Sequence, residues 1–132
     1  MDNKTTNQIN HSPKSIEAIN IICIDMNYEY LFFNQIHKEA VLKAWGTEVS
    51  VGYNFLEIIT DSADRIAIKH NLDRAFTGKT TVETKTYGLH DKRLWESVFS
   101  PMFNTQGAVV GASIHSLDVT AHKEADIDNQ EK

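Results

Sequence analysis

The last third of the chain constrains its fold more than any other part. Residues 80–87, 93–103 and 108–119 are three successive β-rich stretches. The segments between them, Gly88-Leu89-His90-Asp91 and Asn104-Thr105-Gln106-Gly107, carry residues that reverse a chain within a few positions. Strands joined this closely predict an antiparallel meander, because a parallel pair needs a crossover of a dozen or more residues. A meander of this kind buries one face, so the rest of the chain has to supply what covers it.

Upstream, residues 18–25 are again β-rich, and after a short turn at Met26-Asn27 comes Tyr28-Glu29-Tyr30-Leu31-Phe32-Phe33-Asn34, apolar and aromatic on both parities. The two segments predict a hairpin. Strict alternation puts Tyr30 and Phe32 on one face and Leu31 and Phe33 on the other, so both faces of the second strand need cover, the outer one from beyond the sheet. Asn34 can cap a helix over residues 35–45, where Ile36, Ala40, Val41, Ala44 and Trp45 recur at helical spacing before Gly46. One short helical turn is expected near Tyr53-Asn54-Phe55-Leu56-Glu57-Ile58-Ile59. A longer helix follows, capped by Thr60 or Asp61 and ending at Thr77-Gly78, with Ile68, Leu72, Ala75 and Phe76 on its buried stripe. The element order is ββαααβββ, an α+β pattern.

With 132 residues, of which 41% are apolar and 23% charged, the chain makes one domain whose core needs no covalent staple. Cys23 is the single cysteine, so there is no intrachain disulfide or cysteine-based zinc site, and a reducing, cytoplasmic setting is expected. A formal net charge of −5 opposes binding to nucleic acid or to an anionic membrane, and no apolar run is long enough to span a bilayer. Residues 1–15 are polar and read as a flexible tether, 16–120 as the folded domain, and 121–132 as a linker or the start of an exit helix.

Several short motifs, in this order and spacing, resemble the PAS domain family from about Ile16 to Lys123. Phe32-Phe33-Asn34 is similar to the aromatic-x-Asn that ends the family's second strand. Gly52-Tyr53-Asn54-Phe55 is similar to its glycine and short helix, and Leu72-Asp73-Arg74-Ala75-Phe76-Thr77-Gly78 to the end of its long helix. The run from Pro101 through Gly107 to Gly111 is similar to its last hairpin, and Asp118-Val119-Thr120 to its Asp-(Ile/Val)-Thr signal-exit motif. Two features depart from the pattern. The meander's first turn has Asp91 followed by Lys92, with its glycine earlier at Gly88, and Leu94 stands where members place an outward tryptophan, so that Trp95 is expected to face the helices.

The resemblance implies a five-stranded antiparallel sheet of order 2-1-5-4-3 with short helices on one face and a cavity between. Such domains are sensory or regulatory: they bind a small ligand, or respond through dimerisation, and hand the change to an output such as a histidine kinase. With the family's inward parity, Tyr30, Phe32, Phe55, Trp95, Ser97, Phe99, Ile114 and Ser116 would surround a pocket suited to a small apolar or aromatic ligand. A filled core is the competing expectation, since large side chains at these positions are also what packing requires. Asp118, Val119 and Thr120 would form the exit, with Thr120 capping a tail helix and the output attached beyond it or acting as a separate partner.

Specific chemistries find little support in the residues. His70 is the candidate haem ligand, but it lies opposite the buried stripe of its helix, so haem is not expected. Covalent flavin chemistry has no reactive cysteine, since Cys23 lies on the first strand; non-covalent flavin stays open without support. His11, His37, His70, His90, His115 and His122 lack metal-ligand spacing and read as surface residues, so no metal and no cofactor is assigned. Two other functions stay in view: a ligand-free interaction and dimerisation module resting on apolar Ile21, Cys23, Leu31, Phe33, Leu94 and Leu117, and a small cone-shaped α+β enzyme. The enzyme would need an acid, carboxylate or imidazole facing inward, whereas the strands offer mainly Glu96, which alternation turns outward, so no enzymatic activity is expected.

Overall fold

Helix signals and strand signals fall where local chemistry puts them, and the computed structural model describes them over residues 19–121. The strands are β1 (Asn20–Asp25), β2 (Tyr30–Phe33), β3 (Thr81–Tyr87), β4 (Arg93–Phe103) and β5 (Val109–Asp118); the helices are α1 (Gln35–Trp45), α2 (Phe55–Ile58) and α3 (Ser62–Phe76). All neighbouring strands pair antiparallel in the order β2-β1-β5-β4-β3. The three helices come between the two halves of the sheet in sequence.

Each helix starts on the residue whose side chain can satisfy its free N–H groups. Asn34 Oδ1 accepts from His37 N, Asn54 Oδ1 from Leu56 N and Glu57 N, and Asp61 Oδ2 from Asp64 N. Asn34 does more than cap: it also accepts from Ile21 N and donates to the carbonyl of Ile19, so it pins the start of α1 to β1. Gly46 ends α1 in the left-handed conformation, φ 74°, and its N–H returns to the carbonyl of Leu42. The β3–β4 connection runs from Gly88 to Lys92, longer than a two-residue turn. Its φ of 124° and the Asp91 carbonyl oxygen, only 2.2 Å from where a Cβ would sit, require glycine at 88.

The core lies between the helices and one sheet face, with Ile22, Ile24, Phe99, Ala112 and Ile114 from the sheet against Val41, Ile68, Leu72 and Ala75 from the helices. A buried carboxylate ties the layers together: Asp64 Oδ2 accepts from Trp45 Nε1 at 3.0 Å and from Gly88 N at 2.9 Å. Both donors would otherwise be buried without partners.

Strand β2 departs from simple alternation. Ile22 pairs with Phe33 and Cys23 with Phe32, but Ile24 pairs with Tyr30, so Leu31 is an extra, bulged residue. Tyr30 and Phe33 therefore both face the core, and Leu31 and Phe32 both face out at 49% and 50% exposure. The turn before β2 is also longer than Met26-Asn27, reaching Tyr28, which has φ 65°.

Candidate functional site

Registered pairing sorts the inner sheet face into rungs. Ile22, Ile114, Phe99 and Thr81 stand side by side across β1, β5, β4 and β3. One step along, the rung is Asn20, Ser116, Ser97 and Glu83, polar on all four strands. One step further, Trp95 stands between Asp118 and Lys85. A polar rung on a core-facing surface costs free energy unless each group finds a partner, and here the partners are specific. The Ser97 and Ser116 hydroxyls bond each other at 2.9 Å. Glu83 accepts from Tyr87 Oη at 2.5 Å and from Asn71 Nδ2 at 3.0 Å.

Asn20 meets His37 of α1, whose ring is buried. Nδ1 lies 2.9 Å from Asn20 Oδ1 and Nε2 lies 2.7 Å from Tyr30 Oη. With Asn20 presenting oxygen, Nδ1 carries the proton and Nε2 accepts from Tyr30, which defines a neutral imidazole. Burial depresses its pKa to about 3 and pushes the Tyr30 phenol well above its ordinary value. The ring also stands edge-on to Tyr30 and Phe55, with centroids 5.4 and 5.7 Å away.

Above this rung, between the sheet and the helices, lies a partly open cavity of about 60 Å³. Its walls are Asn20, Ile22, Ile114, Ser116, Ser97, Phe99, Trp95 and Tyr87 from the sheet side, and His37, Ala40, Val41, Ala44, Trp45, Phe55 and Ile68 from the helical side. The space holds a few waters or a guest of a few heavy atoms. Trp95, half-buried, lines it on one side and on the other lines an outer groove of about 380 Å³ with Ile36, Lys43, Arg93 and Asp118.

Of the residues expected around a pocket, Phe55, Trp95, Ser97, Phe99, Ile114 and Ser116 line the cavity. Tyr30 stands one layer behind, reaching it through His37. Phe32 does not belong, because the Leu31 bulge turns it outward, and the same bulge removes Phe33 from the outer patch. The sequence pattern predicts His37 at the surface, but the structure buries it: it sits at the third position of α1, where the Asn34 cap turns it toward β1 and Tyr30. The signal available in sequence was its place one residue after Ile36 and four before Val41, on the edge of the apolar stripe. His70, His90 and His115 are exposed, as expected, and His11 and His122 lie outside the described residues. Glu96 faces out and is exposed. Among the described residues, no group of three or more His, Cys, Asp or Glu side chains converges as a metal site. Burial raises the pKa of the Cys23 thiol, away from nucleophilic character.

The exit motif is knotted to the start of β4. Arg93 Nε pairs with Asp118 Oδ2 at 2.8 Å, Leu94 N donates to Thr120 Oγ1 at 2.8 Å, and Val119 N donates to the Leu94 carbonyl at 2.8 Å. Thr120 also donates to Asp118 Oδ1 through both its hydroxyl and its N–H. Burial opposes the charged form of Asp118, but the Thr120 bonds and the Arg93 guanidinium outweigh it and hold its pKa below the ordinary carboxylate value. The chain turns helical at Thr120, whose hydroxyl accepts from β4 and donates to Asp118; the tail helix that it is expected to cap lies outside the described residues. The tether at 1–15 and the tail beyond Ala121 lie outside the described residues.

An antiparallel sheet of order β2-β1-β5-β4-β3 carrying its helices on one face, with a small cavity between them and a hydrogen-bonded end to the last strand, is an α+β architecture of the PAS kind. The family model described as PAS fold matches residues 18–124, and the chain belongs to that family. Among solved structures, a sensory box sensor histidine kinase from Vibrio cholerae is similar with a TM-score of 0.68 and 17% identity, over 89% of this chain and 91% of that one. The PAS domain of Bordetella pertussis BvgS gives 0.65 and 15%, over 95% and 97%. A phage VqmA–DPO complex gives 0.65 and 13%, over 98% of this chain and 59% of that one. No curated protein sequence matches. PAS domains are sensory modules of signal-transduction proteins, and no helix among the described residues is long and apolar enough to cross a membrane.

Proposed function

We propose that this PAS domain is a ligand-operated regulatory module: a small molecule occupies the cavity above the Asn20–Ser116–Ser97 rung, and Trp95 relays its presence to the exit motif. The observation that carries this reading is the position of Trp95. Its side chain is a wall of the cavity, while the two residues before it, Arg93 and Leu94, hold Asp118, Val119 and Thr120. A guest that displaces the indole therefore pulls on the strand that anchors the exit. Solved structures of similar fold described as a VqmA–DPO complex and a VqmA–ligand–DNA complex support ligand binding as a use of this architecture. The output is a histidine kinase or similar effector, attached or separate, in a cytoplasmic signalling protein that makes no contact of its own with nucleic acid or membrane.

Catalysis is not part of the proposal. His37 faces the cavity, but both its nitrogens are engaged and its basicity is suppressed, and Glu83 is bound by Tyr87 and Asn71. The test is the amide NMR spectrum of the chain with and without a low-molecular-weight extract of its native cells. Shifts at cavity residues together with the amides of Leu94, Val119 and Thr120 are expected. An unchanged spectrum, or shifts that stop at the cavity, would overturn the relay.

Homodimerisation through the outer sheet face is a second part of the reading, favoured by exposed Leu31 and Phe32 on β2 and by a shallow depression lined by Ile19, Val82, Val98 and Leu117. Light scattering at micromolar concentration is expected to give twice the chain mass, and a monomer would remove this part.

A further inference from the structure

The polar rung also restricts what kind of molecule the cavity can hold, an inference that rests on the ligand reading above. Two serine hydroxyls carry two hydrogens, and their mutual bond uses one. Among the described residues no acceptor takes the second, although Ser97 and Ser116 are only 3% and 8% exposed. Asn20, partly buried, turns its oxygen to His37, which leaves its amide hydrogens as further donors beside the serines. Ser97, Ser116 and Asn20 are neighbours on one rung and all line the cavity, so donor hydrogens accumulate at one end of it. Among the described residues no buried side-chain nitrogen or oxygen lacks a partner, so the spare hydroxyl hydrogen is a docking point for an acceptor and not a defect of the fold.

Charge is absent from the same walls. The lining includes no Asp, Glu, Lys or Arg, and the one titratable imidazole has a proton on Nδ1 and an accepted hydrogen bond at Nε2. An ionised guest would lose its hydration with no counter-charge to replace it, a far larger cost than a neutral polar guest meets. The other walls, chiefly Val41, Ala44, Phe55, Phe99 and Ile114, accept only hydrocarbon.

We infer that the cavity selects a small neutral molecule bearing a hydrogen-bond acceptor, such as a ketone or amide oxygen, and rejects carboxylates and ammonium ions of the same size. The acceptor docks on the Ser97–Ser116 pair and Asn20, and the hydrocarbon part points toward α1 and α2.

Acetone and acetate make a matched pair of probes, equal in heavy-atom count and close in shape, with acetate ionised at neutral pH. Xenon serves as a third probe that needs space alone. The readout is NMR of the full chain, following the Asn20 side-chain amide and the backbone amides of Ser97 and Ser116. Saturable shifts with acetone are expected at least about ten-fold tighter than with acetate. The Ser97→Ala/Ser116→Ala double variant is expected to weaken acetone about five-fold, the worth of one hydrogen bond, and to leave xenon unchanged. This variant removes both partners of a buried bond, so its fold is expected to persist. Equal response to acetone and acetate, or acetone binding indifferent to the double variant, would overturn the inference while xenon entry leaves the cavity reading standing. Failure of xenon and acetone alike would overturn both.

Discussion

The β1–β2 and β4–β5 hairpins, joined side by side through β1 and β5, behave differently. In the β4–β5 hairpin, nine registered pairs run from Trp95–Asp118 to Phe103–Val109, and irregularity is confined to the far end at Met102/Phe103. In the β1–β2 hairpin only three pairs form, and a bulge falls in the middle of them. Long ladders enforce alternation because every slip would expose a whole row of buried side chains. A four-residue edge strand has no such row to protect, so it can bulge to suit its own largest residues. Here the bulge lets both Tyr30 and Phe33 reach His37, whose ring centroid is 5.4 Å from the first and 6.2 Å from the second.

The sharpest test of this contrast is truncation of two phenylalanines. Phe99, 2% exposed in the long hairpin, is expected to cost roughly 3–5 kcal/mol as Phe99→Ala, as large core truncations do. Phe32→Ala on the short edge strand is expected to cost less than about 1 kcal/mol, as surface substitutions do. Urea titrations of the two variants measure both, and equal costs would mean that β2 alternates without a bulge.

Acid comes next in size, because it acts on the residue that the bulge serves. The His37 pKa is depressed from 6.5 to about 3 in the folded protein, so between these values the unfolded chain binds more protons than the folded one. Its contribution is intact above about pH 6.5 and is lost as pH falls towards 3, at up to about 1.4 kcal/mol per pH unit. Denaturant titrations across that range should show the slope in the native chain and a shallower one in His37→Gln. An unchanged slope would place the titrating group elsewhere.

Tyr30→Phe keeps the aromatic packing and deletes only the hydroxyl that donates to His37 Nε2, leaving a buried acceptor without a partner. A loss of about 1–3 kcal/mol is expected, together with a weaker acid dependence, since Nε2 is then freer to take a proton. The smallest effect belongs to the regular hairpin's exit end. Asp118→Asn keeps an oxygen for Thr120 and removes only the partly exposed ion pair with Arg93, worth at most about 1 kcal/mol. Stability should hardly change, while hydrogen exchange at the Val119 amide should quicken; unchanged exchange would mean that the ion pair does not hold the exit.

Much of the molecule was legible in the chain because it depends on short-range chemistry. Asn34 and Gly46 bound α1, Asp61 starts α3, and the strands of the meander begin and end within a residue or two of where their turn formers place them. Strand alternation put Trp95, Ser97 and Phe99 on one face, the resemblance made that face the inner one, and motif order along the chain pointed to the PAS sheet. What depended on sheet register was hidden. That Asn20, Ser116, Ser97 and Glu83 form one rung follows from pairing between residues up to 96 positions apart, and no local pattern encodes it. His37 was missed for a related reason: its polarity suggests solvent, and only when β1 and β2 bring Asn20 and Tyr30 to its two nitrogens does burial become affordable. Sequence thus determined the elements, whose free energies are local, and tertiary structure decided which polar groups meet, because a buried hydrogen bond exists only when distant parts of the chain have already been brought within 3 Å of each other.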